Sequence, residues 1–160
     1  MSMHSEKIPE NMSNEYDLAL QALNQDDLGA AIAHGRAALA AAEQAEATPR
    51  FFICRCRCLL ANTLGRIGQY REAGEQAQEA IFTCSLLPMD EQVFDVWAKS
   101  IIYRSAALCG LGDHLSAIAA LQAGKRQISG FPGVTALAAR VFDDQISLLK
   151  QRFGVSVDEI

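Results

Sequence analysis

Gly68-Gln69-Tyr70-Arg71-Glu72-Ala73, followed by Ala80-Ile81, is the stretch on which the fold turns. Gly68 closes one helix, as glycine commonly does just past a helix C-terminus, and the next helix starts within two residues. The same pattern occurs upstream as Asp26-Asp27-Leu28-Gly29-Ala30-Ala31 and downstream as Gly112-Asp113-His114-Leu115-Ser116-Ala117. The anchor alanines Ala31, Ala73 and Ala117 are spaced by 42 and 44 residues. A period of this size marks a stacked helical array. Each unit holds two antiparallel helices. A small residue in the first helix (Ala19, Ala61, Ser105) faces the anchor alanine in the second, because large residues at both places would force the pair apart.

Working outward, the chain divides into seven helical segments at about 12–24, 27–45, 50–67, 70–86, 90–109, 113–128 and 134–152. Asn24-Gln25-Asp26 separates the first two, with Asp26 read as the N-cap. Pro49 stands just outside the third helix, and Pro88-Met89-Asp90 ends the fourth, with Asp90 capping the fifth. Gly110 to Asp113 ends the fifth and caps the sixth, and Gly130-Phe131-Pro132-Gly133 ends the sixth. Residues 1–11 read as a flexible arm and 154–160 as a tail. The repeats fall at about 12–46, 50–87 and 90–128. The last helix, 134–153, is amphipathic. Val134, Leu137, Ala138, Val141, Leu148 and Leu149 fall along one face, and Phe142, Ile146 and Phe153 widen the arc. Such an arc suits a helix that caps the stack. Phe142, Ile146 and Phe153 are therefore candidates for a partner face or for a homodimer across a two-fold axis.

Composition agrees with an all-α domain. Half of the 160 residues are hydrophobic, aromatics are 7%, mean hydropathy is +0.06, and alanine is abundant. Strand-forming runs of Val, Ile and Thr are nearly absent. A net charge of −5 argues against general nucleic-acid binding, which needs basic charge to neutralise phosphates. Residues 1–17 are polar, with no secretory signal. No stretch reaches the length of a membrane helix, so the expectation is a cytoplasmic protein that neither binds nucleic acid nor enters a membrane.

The turn and second helix at Gly68–Ile81 resemble a tetratricopeptide repeat, and the other two copies repeat the pattern in phase. The resemblance spans roughly residues 12–128. It implies a right-handed superhelix of three helix-turn-helix repeats, closed by the capping helix. The period exceeds the family's usual 34 residues, which resembles the long-helix variant of bacterial signalling and regulatory proteins. The family's aromatic in the first helix is missing, with Glu15, Arg57 and Ile101 at the matching places.

In that family the first helices line the inner surface. The resemblance therefore places Tyr16 and Leu20, then Arg55, Cys58, Asn62 and Arg66, then Lys99, Ile102 and Ala106 on a concave groove. Arg55 and Lys99 are equivalent across repeats. Arg55, Arg66 and Lys99, with Asn62 between them, form a cationic strip suited to an acidic or extended peptide. The alternative is that they are ordinary solvated side chains. The strip departs from the clamp that grips chaperone tails, since Cys58, Leu59 and Tyr103 stand at matching places, so no co-chaperone role is expected. The implied function is a non-catalytic adaptor or regulatory subunit in bacterial signalling. Two alternatives are a chaperone of the type III secretion kind and the sensory input module of a signalling enzyme. The tail at 154–160 shows no helical continuation into an output domain.

Nothing in the chain reads as catalytic. No nucleophile–base pair, Gly-rich phosphate loop or HExxH motif occurs. Cys54-x-Cys56-x-Cys58 lies in one helix, with Cys54 and Cys58 on one face and Cys56 away from them. A zinc site would need further ligands, and Cys84 and Cys109 lie on other helices. The cysteines read as small core hydrophobes, His4 and His34 as scattered, and His114 as a packing residue at the place of Tyr70. Trp97 and Phe94 read as inter-repeat core. No metal or cofactor is expected.

Overall fold

The computed structural model describes residues 8–128, 130 and 136–154, with 136–138 in backbone alone. Among them the chain forms seven helices and no strand: α1 (Glu10–Asn24), α2 (Leu28–Glu43), α3 (Arg50–Arg66), α4 (Tyr70–Ser85), α5 (Glu91–Gly110), α6 (His114–Ile128) and α7 (Ala136–Phe153). The expected arm at 1–11 lies mostly outside the described residues, and α1 already begins at Glu10. The first two residues of the expected capping helix and the tail beyond Gly154 also lie outside them.

Each helix packs on the next in sequence, and α3 also packs directly on α5. Three turns repeat the same backbone. Asp26, Gly68 and Gly112 occupy the left-handed region, with φ of 58°, 83° and 84°. The residue after each donates its amide to a carbonyl five positions back: Asp27 to Ala22 (2.9 Å), Gln69 to Leu64 (3.0 Å) and Asp113 to Leu108 (2.9 Å). These bonds satisfy carbonyls that a helix end leaves orphaned. One expectation is corrected here. Asp27, not Asp26, caps α2, its carboxylate accepting from the Ala30 amide at 3.1 Å. Asp26 fills the turn position that glycine fills in the other two repeats, where the left-handed backbone rules out a capping geometry. Asp90 and Asp113 cap α5 and α6 as the sequence suggests.

The small residues meet as expected. Ala19, Ala61 and Ser105 are buried, as are Ala31, Ala73 and Ala117. In the third pair the Ser105 hydroxyl donates to the Ala117 carbonyl at 3.0 Å. Two apolar clusters form the core. The first joins α1, α2 and α3 around Tyr16, Phe52, Leu60 and Leu64. The second joins α3, α4, α5, α6 and α7 around Trp97, Phe51, Ile118 and Phe142. α3 serves both, with Phe52, Cys56 and Leu59 in one and Phe51, Cys54 and Cys58 in the other.

α7 corrects a second expectation. Phe142 and Ile146 are buried in the second cluster, Phe142 lying 6.1 Å from the Trp97 ring and against Gly124. Phe153 stacks on His114 at 3.6 Å. The inward stripe is therefore 142, 146, 149 and 153, while Val141 and Leu148 are exposed. The bulkier residues at i, i+4 and i+7 take the core side because they bury more apolar area. These residues hold the last helix on the stack.

Seams between repeats are tight. The Tyr70 ring, at the start of α4, sits over Gly110 at the end of α5, where any Cβ would overlap it. One repeat later His114, at the start of α6, meets Phe153 at the end of α7 in the same fashion.

Candidate functional site

The first helices of the three repeats form one groove of about 350 Å³. α1 supplies Tyr16, Leu20 and Leu23, and α3 supplies Arg55, Cys58, Leu59 and Asn62. α5 supplies Asp95, Val96, Lys99 and Tyr103. Within each set the residues recur at intervals of three or four, with Cys58–Leu59 and Asp95–Val96 as adjacent pairs, which keeps each set on one helix face. A second recess of about 400 Å³ adjoins it at Arg55, along Phe51, Glu91, Gln92 and Asp95.

The Arg55 guanidinium lies 4.6 Å from the centroid of the Tyr16 ring. A cation over an aromatic face gains about 0.5–1 kcal/mol at a partly exposed site and is held in one place. Tyr16 itself packs edge-on against Phe52 at 5.6 Å, so the first cluster fixes the ring that fixes Arg55. Burial raises the Tyr16 phenol above its ordinary range, with Arg55 opposing the shift. Lys99 donates to the Asp95 carboxylate at 2.8 Å, and that bond raises the lysine further. Both side chains are more than half exposed, so the pair is worth under about 1 kcal/mol and opens easily to a ligand. The Cys58 thiol forms part of the floor and donates to the Val96 carbonyl at 3.9 Å. Burial pushes it up to about 11, which makes it a poor nucleophile and an inert wall.

Of the residues singled out from the sequence, Tyr16, Arg55, Asn62 and Lys99 line this one groove. Arg66 is exposed beyond the lining, near enough to Tyr103 for its charge to act on that phenol. Ile102 is half-buried against the second cluster, and Tyr103 holds the groove position instead. Asp95 was overlooked. Its signal was an acid four residues before a lysine on one helix face. Where the family aromatic is missing, polar pairs bridge helices: Glu15 with His34 at 2.7 Å and Arg57 with Glu43 at 2.9 Å.

The remaining candidates for chemistry are apart. Cys54 and Cys84 sit together in the interior of the second cluster, and Cys56 lies in the first. Among the described residues no group of three or more His, Cys, Asp or Glu is arranged to hold a metal. No helix among them is long and apolar enough to cross a membrane.

A groove on stacked helix pairs defines the class, a tetratricopeptide-like helical repeat protein. The solved structures contain a relative in shape: a TPR-like protein from Chlorobium tepidum has a TM-score of 0.68. The two are 20% identical, with 87% of this chain and 94% of that one superposed. That likeness shows the fold. No family model and no curated protein sequence matches the chain.

Proposed function

We propose that this protein is a non-catalytic adaptor or regulatory subunit that holds an extended segment of a partner protein in its concave groove. The fold suggests protein partners, although fold alone does not assign function. The observation that carries the reading is the convergence of Tyr16, Arg55, Asn62 and Lys99, from three different helices, on one groove. Arg55 is pre-positioned by the Tyr16 ring, which lowers the ordering cost of a carboxylate bond. Asn62 offers both a donor and an acceptor to a peptide backbone. Leu20, Leu23 and Val96 supply apolar floor for side chains. The long repeat, which resembles the variant found in bacterial signalling and regulatory proteins, favours a place in such a system.

The test is affinity capture with wild type, with Arg55→Glu/Lys99→Glu, and with Arg71→Glu on the exposed face of α4 as control. A partner retained by the control and lost at least tenfold by the double variant supports the reading. Equal recovery by all three proteins eliminates the groove as the binding surface.

A further inference from the structure

We infer that Asp95 sets the charge preference of the groove, so that the segment it takes carries a cation as well as a carboxylate. The inference rests on the groove being the binding surface and names the chemistry of its occupant. The cationic strip visible in the sequence is interrupted in three dimensions. Asp95 lies in the lining beside Arg55 and holds Lys99 at 2.8 Å. Arg55 is engaged with the Tyr16 ring. At the recess beyond, Glu91 joins Asp95.

Along α5 the groove face thus runs Glu91, Asp95, Lys99, Tyr103, each four residues after the last. The order of charge is negative, negative, positive, then a phenol. Arg66, on α3, adds its positive charge at the Tyr103 end. The Glu91–Asp95 end sets two carboxylates against Arg55 and is net negative, and the Lys99–Arg66 end is positive, with Cys58, Leu59 and Val96 as apolar floor between. At about 1.5 Å of rise per residue, Glu91 and Lys99 are about 12 Å apart along the helix. An extended chain covers that distance in about four residues.

A wholly acidic segment would bring like charge against Asp95 and Glu91, which penalises a wrong partner more than it rewards a right one. A segment with Lys or Arg at the Glu91–Asp95 end, an apolar residue in the middle and Asp or Glu at the Lys99–Arg66 end meets opposite net charge at both ends, while Arg55 stays on the Tyr16 ring or takes a further carboxylate. Binding would exchange the exposed Asp95–Lys99 pair for two ligand pairs.

A displayed library of random dodecapeptides, selected on the 160-residue chain, tests this directly. Selections run in parallel on wild type, Asp95→Lys and Arg55→Glu/Lys99→Glu. Asp95 is exposed, and circular dichroism checks that each variant keeps its helices. The expected wild-type enrichment is a basic and an acidic residue about four apart, flanking an apolar one. Asp95→Lys is expected to shift the enriched set to net-acidic peptides and to bind the wild-type winners at least tenfold more weakly. Wholly acidic winners on wild type, or an unchanged set on Asp95→Lys, would overturn the role of Asp95 while leaving the groove standing. No enrichment on wild type, or enrichment that survives Arg55→Glu/Lys99→Glu, would sink the groove reading and this inference with it.

Discussion

α3 and α7 stand at the same place in their units, each following the second helix of the preceding repeat, yet they are buried differently. α3 has neighbours on both sides and buries every turn, dividing its residues between the two clusters. α7 has a neighbour on one side only. It buries Phe142 and Ile146 and leaves Val141 and Leu148 in solvent. The difference teaches that position in the stack, more than local sequence, decides how much of a helix is interior. In a repeat array each unit is stabilised by its neighbours, so the centre couples the whole and the edge couples little.

The largest expected effect concerns the thiols that α3 encloses. Burial pushes Cys56 up to about 12. At pH 8 the thiolate that reacts with Ellman's reagent is therefore about a thousandfold scarcer than for an ordinary thiol. Native protein should show one accessible thiol, the half-buried Cys109, and all five only after denaturation. Rapid native labelling of Cys54, Cys56 or Cys58 would mean that α3 opens. The sign of the pH effect follows. Between pH 9 and about 12 the folded chain holds more protons than the unfolded chain, so Tm should fall as pH rises through that window.

Core truncation sharpens the contrast between centre and edge. Phe52→Ala in α3 should cost about 3–5 kcal/mol in urea unfolding and speed hydrogen exchange in α1 through α4 together. Ile146→Ala in α7 should cost about 2–3 kcal/mol, with faster exchange confined to α6 and α7. Exchange spreading to α1 in the second case would break the distinction.

The smallest expected effects lie at the surface and in the first turn. Asp26→Gly should stabilise by about 0.5–1 kcal/mol, seen as a raised Tm, since Asp26 holds a left-handed φ of 58° that glycine adopts without strain. Arg36→Ala removes an exposed pair with Glu72 at 2.8 Å across the second helices and should cost under about 1 kcal/mol.

Much of this was legible in the sequence, and for identifiable reasons. The anchor alanines and turn glycines gave the repeat and its helices because small residues and left-handed turns are local requirements. The rotation of α7 was not legible. Val141 and Leu148 share helical spacing with Leu137 and Leu149, and only contact with Trp97 and Gly124 selects the stripe through Phe142. The groove was half legible. Periodicity put Arg55, Asn62 and Lys99 on one surface, but Asp95 joins the lining through the packing of α5 against α3 and its bond to Lys99. Ile102 and Tyr103 are adjacent in sequence, and the packing of α5 on α3 and α6 decides which one faces the groove.

Tyr70 on Gly110 bears on more than local fit. The contact joins the second helix of one repeat to the first helix of the next. A bulkier residue at 110 would act as a wedge, tilting every later unit by the same angle. The width of the concave surface is thereby gauged from outside the groove by a residue with no side chain.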